Sequence, residues 1–249
     1  VSRYSAIMVR GDRVIAVSDT ARQYVLQNYA DADPESLCVI PRGIDREQWP
    51  YAYQPDSSWL EQWHRELAAS ANPEAPLILL PGRVKRSKGV LAFVRLLSDL
   101  RQAEIPARGV VVGRGAVEGR TGKLLTKLIQ QNGLAPWVLR FEHREDIRDL
   151  MSVATCVLSL SEKPESFGRT VLEALSLGRP VVGFDHGGVG EVMGELYHEG
   201  LVEKGDAAAL NQKVRQMLTE PPPVPQDHPF HLQRMLDQTL ALYREVAGT

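Results

Sequence analysis

Between Pro164 and Leu175 the chain reads PESFGRTVLEAL, which sets two carboxylates, Glu165 and Glu173, eight positions apart around a turn that opens a helix. Free amides at a helix start, together with the helix dipole, form an anion site worth about 0.3–2 kcal/mol per unit charge. The backbone of Phe167, Gly168, Arg169 and Thr170 is the candidate cradle, and Gly168 would let an anion approach closely. With a helix start near Gly168, Glu173 falls on the second turn, roughly 8 to 9 Å along the axis from those amides. That is the reach from a diphosphate to a ribose, and an ionised carboxylate can accept from both hydroxyls of a vicinal diol. Glu165 precedes the helix, so it lies on the other side of the phosphates and faces whatever is attached to them. Taken singly, an acid near a helix start more often serves the dipole, and a second-turn acid more often faces water.

A second charged cluster changes that weighting. After the apolar run LILLPG comes GRVKRSKG, which supplies Arg83, Lys85, Arg86 and Lys88 just before a helix. Alone this is a solvated basic loop. In an open parallel sheet, however, ligands sit outside the carboxyl ends of strands, where this loop lies. The remaining signals are weaker. In GRGAVEG, Gly113 and Gly115 stand at a strand end, but the third glycine comes one place late for a dinucleotide fingerprint, so a tight turn is expected. Gly187 and Gly188 in HGGVGE precede another helix, where Glu191 reads equally as a first-turn acid. The DAD of Asp31–Asp33 is a loop before Pro34 and not a metal-ligand pair. Zinc spacing, a Ser nucleophile elbow and a P-loop are all lacking in the sequence.

These residues need a scaffold, and the hydrophobic pattern supplies one. Short β-branched runs alternate with helix-period stretches, the mark of repeated βαβ units with a parallel sheet buried on both faces. Strands are expected at RVIAVS, CVIP, LILLPG, RGVVVG, VLRFE, TCVLSLS and PVVGF. Helices are expected near Asp19–Tyr29, Ser87–Gln102, Gly119–Gln131, Asp146–Val153, Gly168–Leu177 and Asp206–Leu218. The fold class is α/β, a doubly wound, Rossmann-like parallel sheet from about Pro76 to Glu220. The first strand and helix lack sheet neighbours, so residues 1–39 read as the remnant of another α/β domain. Residues 40–56 then form a linker, 57–226 the main domain, and 227–249 a terminal amphipathic helix with Leu232, Met235, Leu236, Thr239, Leu242 and Tyr243 on one stripe. Trp59, Leu60, Trp63 and Leu67 make a second helical stripe, read as core, with contact to a membrane surface as the lesser use.

Composition sets outer bounds. The 249 residues are 43% hydrophobic and carry a net charge of -2, so anion binding has to come from local cations and no nucleic-acid partner is indicated. Cys38 and Cys156 lie far apart in apolar runs, as small buried hydrophobes of a reducing compartment. No apolar run approaches the ~20 residues of a membrane span, and the chain reads as cytoplasmic.

GRVKRSKG, the Glu165-to-Glu173 frame and DHGGVGEVM resemble, in order and spacing, the donor-binding domain of GT-B glycosyltransferases, especially the retaining family 4. VIAVSDTARQYV and VIPRGIDREQW resemble that family's crossing from the first domain to the second. The resemblance implies that Arg83 and Lys88 hold the diphosphate of a nucleotide-sugar donor and stabilise the leaving group, that Glu173 binds the ribose, and that Glu165 lies near the donor sugar, where it is needed for transfer. It places Gly113, His143 and Arg144 near the nucleobase, and Gly187 and Gly188 near the sugar. No metal or other cofactor is then required. The acceptor would be a glycan or lipid-linked molecule, with envelope polysaccharide as a destination and a peripheral membrane contact in the parent enzyme. A donor half lacking most of the first domain would bind donor and transfer nothing alone, with its final helix meant for the missing domain. Two other classes stay open: a nucleotide-sugar epimerase of the same architecture, and a non-catalytic nucleotide-sugar-binding module that has no need of Glu165.

Overall fold

The computed structural model describes residues 5–68 and 70–248. A 3-10 turn at Ser5–Val9 leads into β1 (Val14–Ala16), α1 (Asp19–Asn28) and β2 (Leu37–Val39), followed by α2 (Ser57–Leu67). Three βα units come next: β3 (Leu77–Pro81) with α3 (Val90–Gln102), β4 (Arg108–Val112) with α4 (Gly119–Gln131), and β5 (Val138–Phe141) with α5 (Ile147–Ser152). Three more follow: β6 (Cys156–Ser159) with α6 (Arg169–Ser176), β7 (Val181–Phe184) with α7 (Gly187–Leu196), and β8 (Leu201–Val202) with α8 (Ala207–Thr219). Beyond a proline-rich segment lies α9 (Leu232–Ala247).

Strands β3 to β8 form one parallel sheet in the order β5-β4-β3-β6-β7-β8. The order reverses between β3 and β6, which makes this a doubly wound sheet with its switch point there. Right-handed crossovers put α3 and α4 on one face and α5, α6 and α7 on the other, and accordingly α3 touches α4 and α8 while α6 touches α5 and α7. With helices on both sides, the strands need apolar residues at every position. Ile78, Leu79, Val110, Val111 and Val182 are fully buried, so the continuous runs LILL and GVVV are what such a sheet demands.

The expected strand without neighbours is a correction: β1 pairs in parallel with β2, Val14 opposite Leu37, so the first unit closes its own two-stranded βαβ. Strand β8, only two residues long, was not expected, because so short a run has no periodicity to read. In α2, Trp63 and Leu67 are buried, and the Trp59 indole donates to Asp146 at 2.7 Å; that stripe is core. In α9 only Leu242 is buried, while Leu236, Leu240 and Tyr243 are 41%, 49% and 63% exposed. Of the expected stripe, Leu232, Met235 and Thr239 are half-buried and Leu242 buried, so it packs partly on the fold and leaves Leu236 and Tyr243 outward. Cys38 and Cys156 are both free thiols, and burial pushes the Cys156 thiol up to about 12. Among the described residues no helix is long and apolar enough to cross a membrane.

Candidate functional site

The loops leaving β3 and β6 meet at the switch point. Arg83, Lys85 and Lys88 from the first and Glu165 from the second line a cavity of about 360 Å³, together with Gly168 and Thr170 at the start of α6. Lys88 Nζ donates to Glu165 Oε1 at 2.7 Å, and both side chains are about one third exposed. A half-exposed pair of this kind is worth no more than about 1 kcal/mol, so an anionic ligand can displace it at small cost. Arg83 and Lys85 have no ion-pair partner among the described residues, which leaves three cations facing one carboxylate. The amides of Arg169 and Thr170 find no protein acceptor among the described residues, whereas Val171 N and Leu172 N both donate to Gly168 O. The cavity thus offers unmatched positive charge and free helix-start donors.

Close backbone contacts make this convergence possible. Gly89, at φ +80°, lies so near β6 that a Cβ would stand 2.2 Å from Leu160 O, and Glu162 N donates to Ser87 O at 2.8 Å. On the other side a Cβ on Gly187, at φ +63°, would come within 2.8 Å of the Glu165 backbone, and Gly188 N donates to Glu165 O at 2.7 Å. Here the sequence expectation needs correction. Gly187 and Gly188 do not precede the helix but are its first two residues, and they brace the Glu165–Phe167 backbone instead of lining the cavity. Phe167 is buried, its ring edge-on to Phe230 at 5.7 Å. Gly168 caps α6 from the left-handed region at φ 89°, and the Arg169 side chain is exposed.

Glu173 sits elsewhere. Arg169 Nε donates to its Oε1 at 2.9 Å, and burial raises its pKa against the opposing charge of Arg169. It lines an adjoining cavity of about 500 Å³ with Arg42, Trp49 and Arg169, separated from the first by the shared wall of Glu165 and Gly168. The structure therefore brings together Arg83, Lys88, Glu165, Gly168 and Thr170, and places Glu173 and Arg169 next door. Gly113 and His143 line neither cavity. Gly113 packs so tightly that a Cβ would be 2.0 Å from Gly82 O, and His143 is exposed. Arg144 clamps Asp146 through Nε and a terminal nitrogen at 2.8 and 2.7 Å and also donates to Glu66 at 2.6 Å. Those hydrogen bonds raise its pKa further and tie the guanidinium into the fold.

Three residues carry structural duties whose partners the sequence did not signal. Glu142 accepts from the amides of Gly115, Val117 and Glu118 at 2.8, 2.8 and 2.9 Å, and these bonds hold its carboxyl below the usual range. His186 Nε2 lies 2.6 Å from Ser161 O. Glu191 is a second-turn residue of α7, not a first-turn acid, and accepts from the amides of Asp19 and Thr20. All three act on backbone groups distant in sequence, which no residue code announces. Asp31 pairs with Arg10, and Asp33 accepts from Glu35 N. Among the described residues no group of three or more His, Cys, Asp or Glu could hold a metal ion.

A doubly wound parallel sheet with a cleft of unbalanced cations at its switch point defines the class: the α/β architecture of GT-B glycosyltransferases. The family described as "Glycosyl transferases group 1" matches residues 64–229, and the chain belongs to that family. It is 29% identical over 259 residues to an alpha-maltose-1-phosphate synthase from Mycolicibacterium smegmatis, covering 95% of this chain and 64% of that protein. It is likewise 29% identical over 165 residues to a D-inositol 3-phosphate glycosyltransferase from Jonesia denitrificans, covering 64% of this chain and 37% of that one. The chain thus spans a little under two thirds of the length of the maltose-1-phosphate synthase it matches. A solved glycosyltransferase from Rickettsia africae shares the fold with a TM-score of 0.80 at 24% identity, covering 99% of this chain and 68% of that one. Anabaena HepE, solved in complex with UDP and glucose, does so with a TM-score of 0.76 at 22% identity, covering 98% and 68%.

Proposed function

We propose that this chain forms the donor half of a retaining glycosyltransferase that moves a sugar from a nucleoside diphosphate to a glycan or lipid-linked acceptor. The observation that carries the reading is the cavity at the switch point, where Arg83, Lys85 and Lys88 outnumber Glu165 beside the unpaired amides of α6. Negative charge builds on the departing phosphate as the bond to the sugar breaks, and fixed cations and amides aimed at that oxygen stabilise the transition state. Arg83 and Lys88 would do this without a metal or other cofactor. Glu165, released from Lys88 as the phosphates take its place, would face the sugar carbon as it gains positive character. Glu173, after turning from Arg169, would accept from the ribose hydroxyls. The complexes of Anabaena HepE with UDP and with UDP-glucose support a nucleotide sugar as donor.

The acceptor side would be furnished by the further length that the relatives possess, with residues 1–39 as part of that domain and the exposed Leu236, Leu240 and Tyr243 of α9 docking on it. Envelope polysaccharide assembly at the cytoplasmic face of a membrane is the setting that fits such an acceptor. The deciding experiment replaces Glu165 by Ala in a protein that carries this chain with its acceptor domain. Transfer should fall by about three orders of magnitude, as for loss of a transition-state charge partner, with nucleotide affinity nearly unchanged. Equal loss of both would overturn the division of roles, and undiminished transfer would overturn the catalytic reading.

A further inference from the structure

The backbone that carries Glu165 is gripped from both sides, and one grip comes from the first βαβ unit. Gly188 N, at the start of α7, donates to Glu165 O at 2.7 Å. The Ser18 hydroxyl, only 3% exposed, donates to Ser166 O at 2.6 Å and accepts from Ala21 N at 3.0 Å as the cap of α1. Glu191 reaches from α7 to the same helix end, where its two oxygens accept from Asp19 N at 2.9 Å and Thr20 N at 2.6 Å. Three of the orphan amides at the start of α1 are thereby satisfied, two of them by a carboxylate that also suits the positive end of the dipole. Helix α1 cannot slide along α7 without baring the Ser166 carbonyl and the Glu191 carboxylate together.

We infer that Ser18 and Glu191 are positioning residues: they lock α1 onto the Glu165–Ser166 segment so that the Glu165 carboxylate is aimed into the cavity beside Lys88. This rests on the donor-site reading above. The phosphates are held by Arg83, Lys88 and the α6 amides, which the lock does not touch, whereas the sugar end depends on Glu165. Loss of the lock should therefore separate the two ends of the ligand.

The test uses this chain with Ser18→Ala, Glu191→Ala and the milder Glu191→Gln, the last in case the alanine variant does not fold. Amide exchange at Gly188 should accelerate about tenfold or more, with Val110 in the central strand unchanged, since only local opening is eased. Calorimetry with UDP, GDP and ADP should show affinity for the free diphosphate altered by less than about twofold, while the glucose conjugate of the preferred base loses its sugar-dependent increment. Ser18→Thr, which keeps the hydroxyl, should restore both. Unchanged exchange at Gly188, or equal loss of affinity for diphosphate and conjugate, would overturn the inference. If the unaltered chain binds none of the nucleotides, the donor-site reading fails separately, and exchange at Gly188 then decides the lock alone.

Discussion

Two loop regions at the carboxyl edge of the same sheet, both containing glycines and both presenting backbone amides, differ in how their charge is balanced. In the loop between β4 and α4, the amides of Gly115, Val117 and Glu118 converge on one point, and Glu142 fills it. At the switch point, Arg83 and Lys85 have no ion-pair partner among the described residues, Lys88 has only a partly exposed one, and the first amides of α6 find no acceptor among those residues. An amide nest is a structural joint when the chain supplies its own anion, and stays open to a ligand when the chain leaves the charge unbalanced. Motif counting cannot separate these cases. The separation depends on a carboxylate 24 to 27 residues away.

The comparison breaks most visibly if the cations at the switch point are removed. Arg83→Ala and Lys88→Ala should each weaken nucleoside diphosphate binding by about 10- to 100-fold, the worth of a charge-assisted hydrogen bond to phosphate. Titration calorimetry with UDP, GDP and ADP measures this. A Glu142→Gln variant should leave the same affinity nearly unchanged, because Glu142 lines neither cavity.

How far the sequence reached follows from the same physics. The apolar runs of β3, β4, β6 and β7 were legible because a strand buried on both faces cannot hide its composition, and α4 was read to its terminal residues, Gly119 and Gln131. That Arg83, Lys88 and Glu165 come together was legible because both loops leave the carboxyl ends of strands in one parallel sheet. What stayed hidden was pairing. Whether Glu173 looks at Arg169, whether Arg144 is spent on Asp146, and whether α1 leans on Glu191 are settled by tertiary neighbours. The same holds for β1, whose partner β2 lies across a helix.

Glu173 gives the next effect in size and separates stability from function. Its pKa is raised by burial, so the folded state binds the proton more readily than the unfolded chain does. The stability due to this group is full below the ordinary carboxylate range and declines as pH rises through that range to the raised folded value. At neutral pH the buried charge is a cost, and Glu173→Gln should leave the melting temperature equal or higher. If the carboxylate serves the ribose, the same change should lower nucleotide affinity by about tenfold. A variant that is less stable at pH 7 yet binds normally would reverse both assignments.

The smallest effect sharpens the comparison directly, since it asks whether the filled nest can be turned into an empty one. Glu142→Ala leaves three converging amides without an acceptor, and the loop should loosen. Because the amides hold the Glu142 carboxyl below its usual range, its contribution is present above the ordinary carboxylate pKa and lost as pH falls through the depressed folded value. The melting temperature of the variant should therefore lie below that of the unaltered chain at pH 7, with the gap closing as the solution becomes acidic. Phosphate should then do what Glu142 did. An anion that binds the folded state alone stabilises it in proportion to the logarithm of its concentration, so added phosphate should raise the melting temperature of Glu142→Ala more than that of the parent. To keep the switch-point cavity from contributing, the comparison is made in an Arg83→Ala, Lys88→Ala background. Equal phosphate responses would mean that convergence of amides is not enough, and that the cations alone distinguish the two loops.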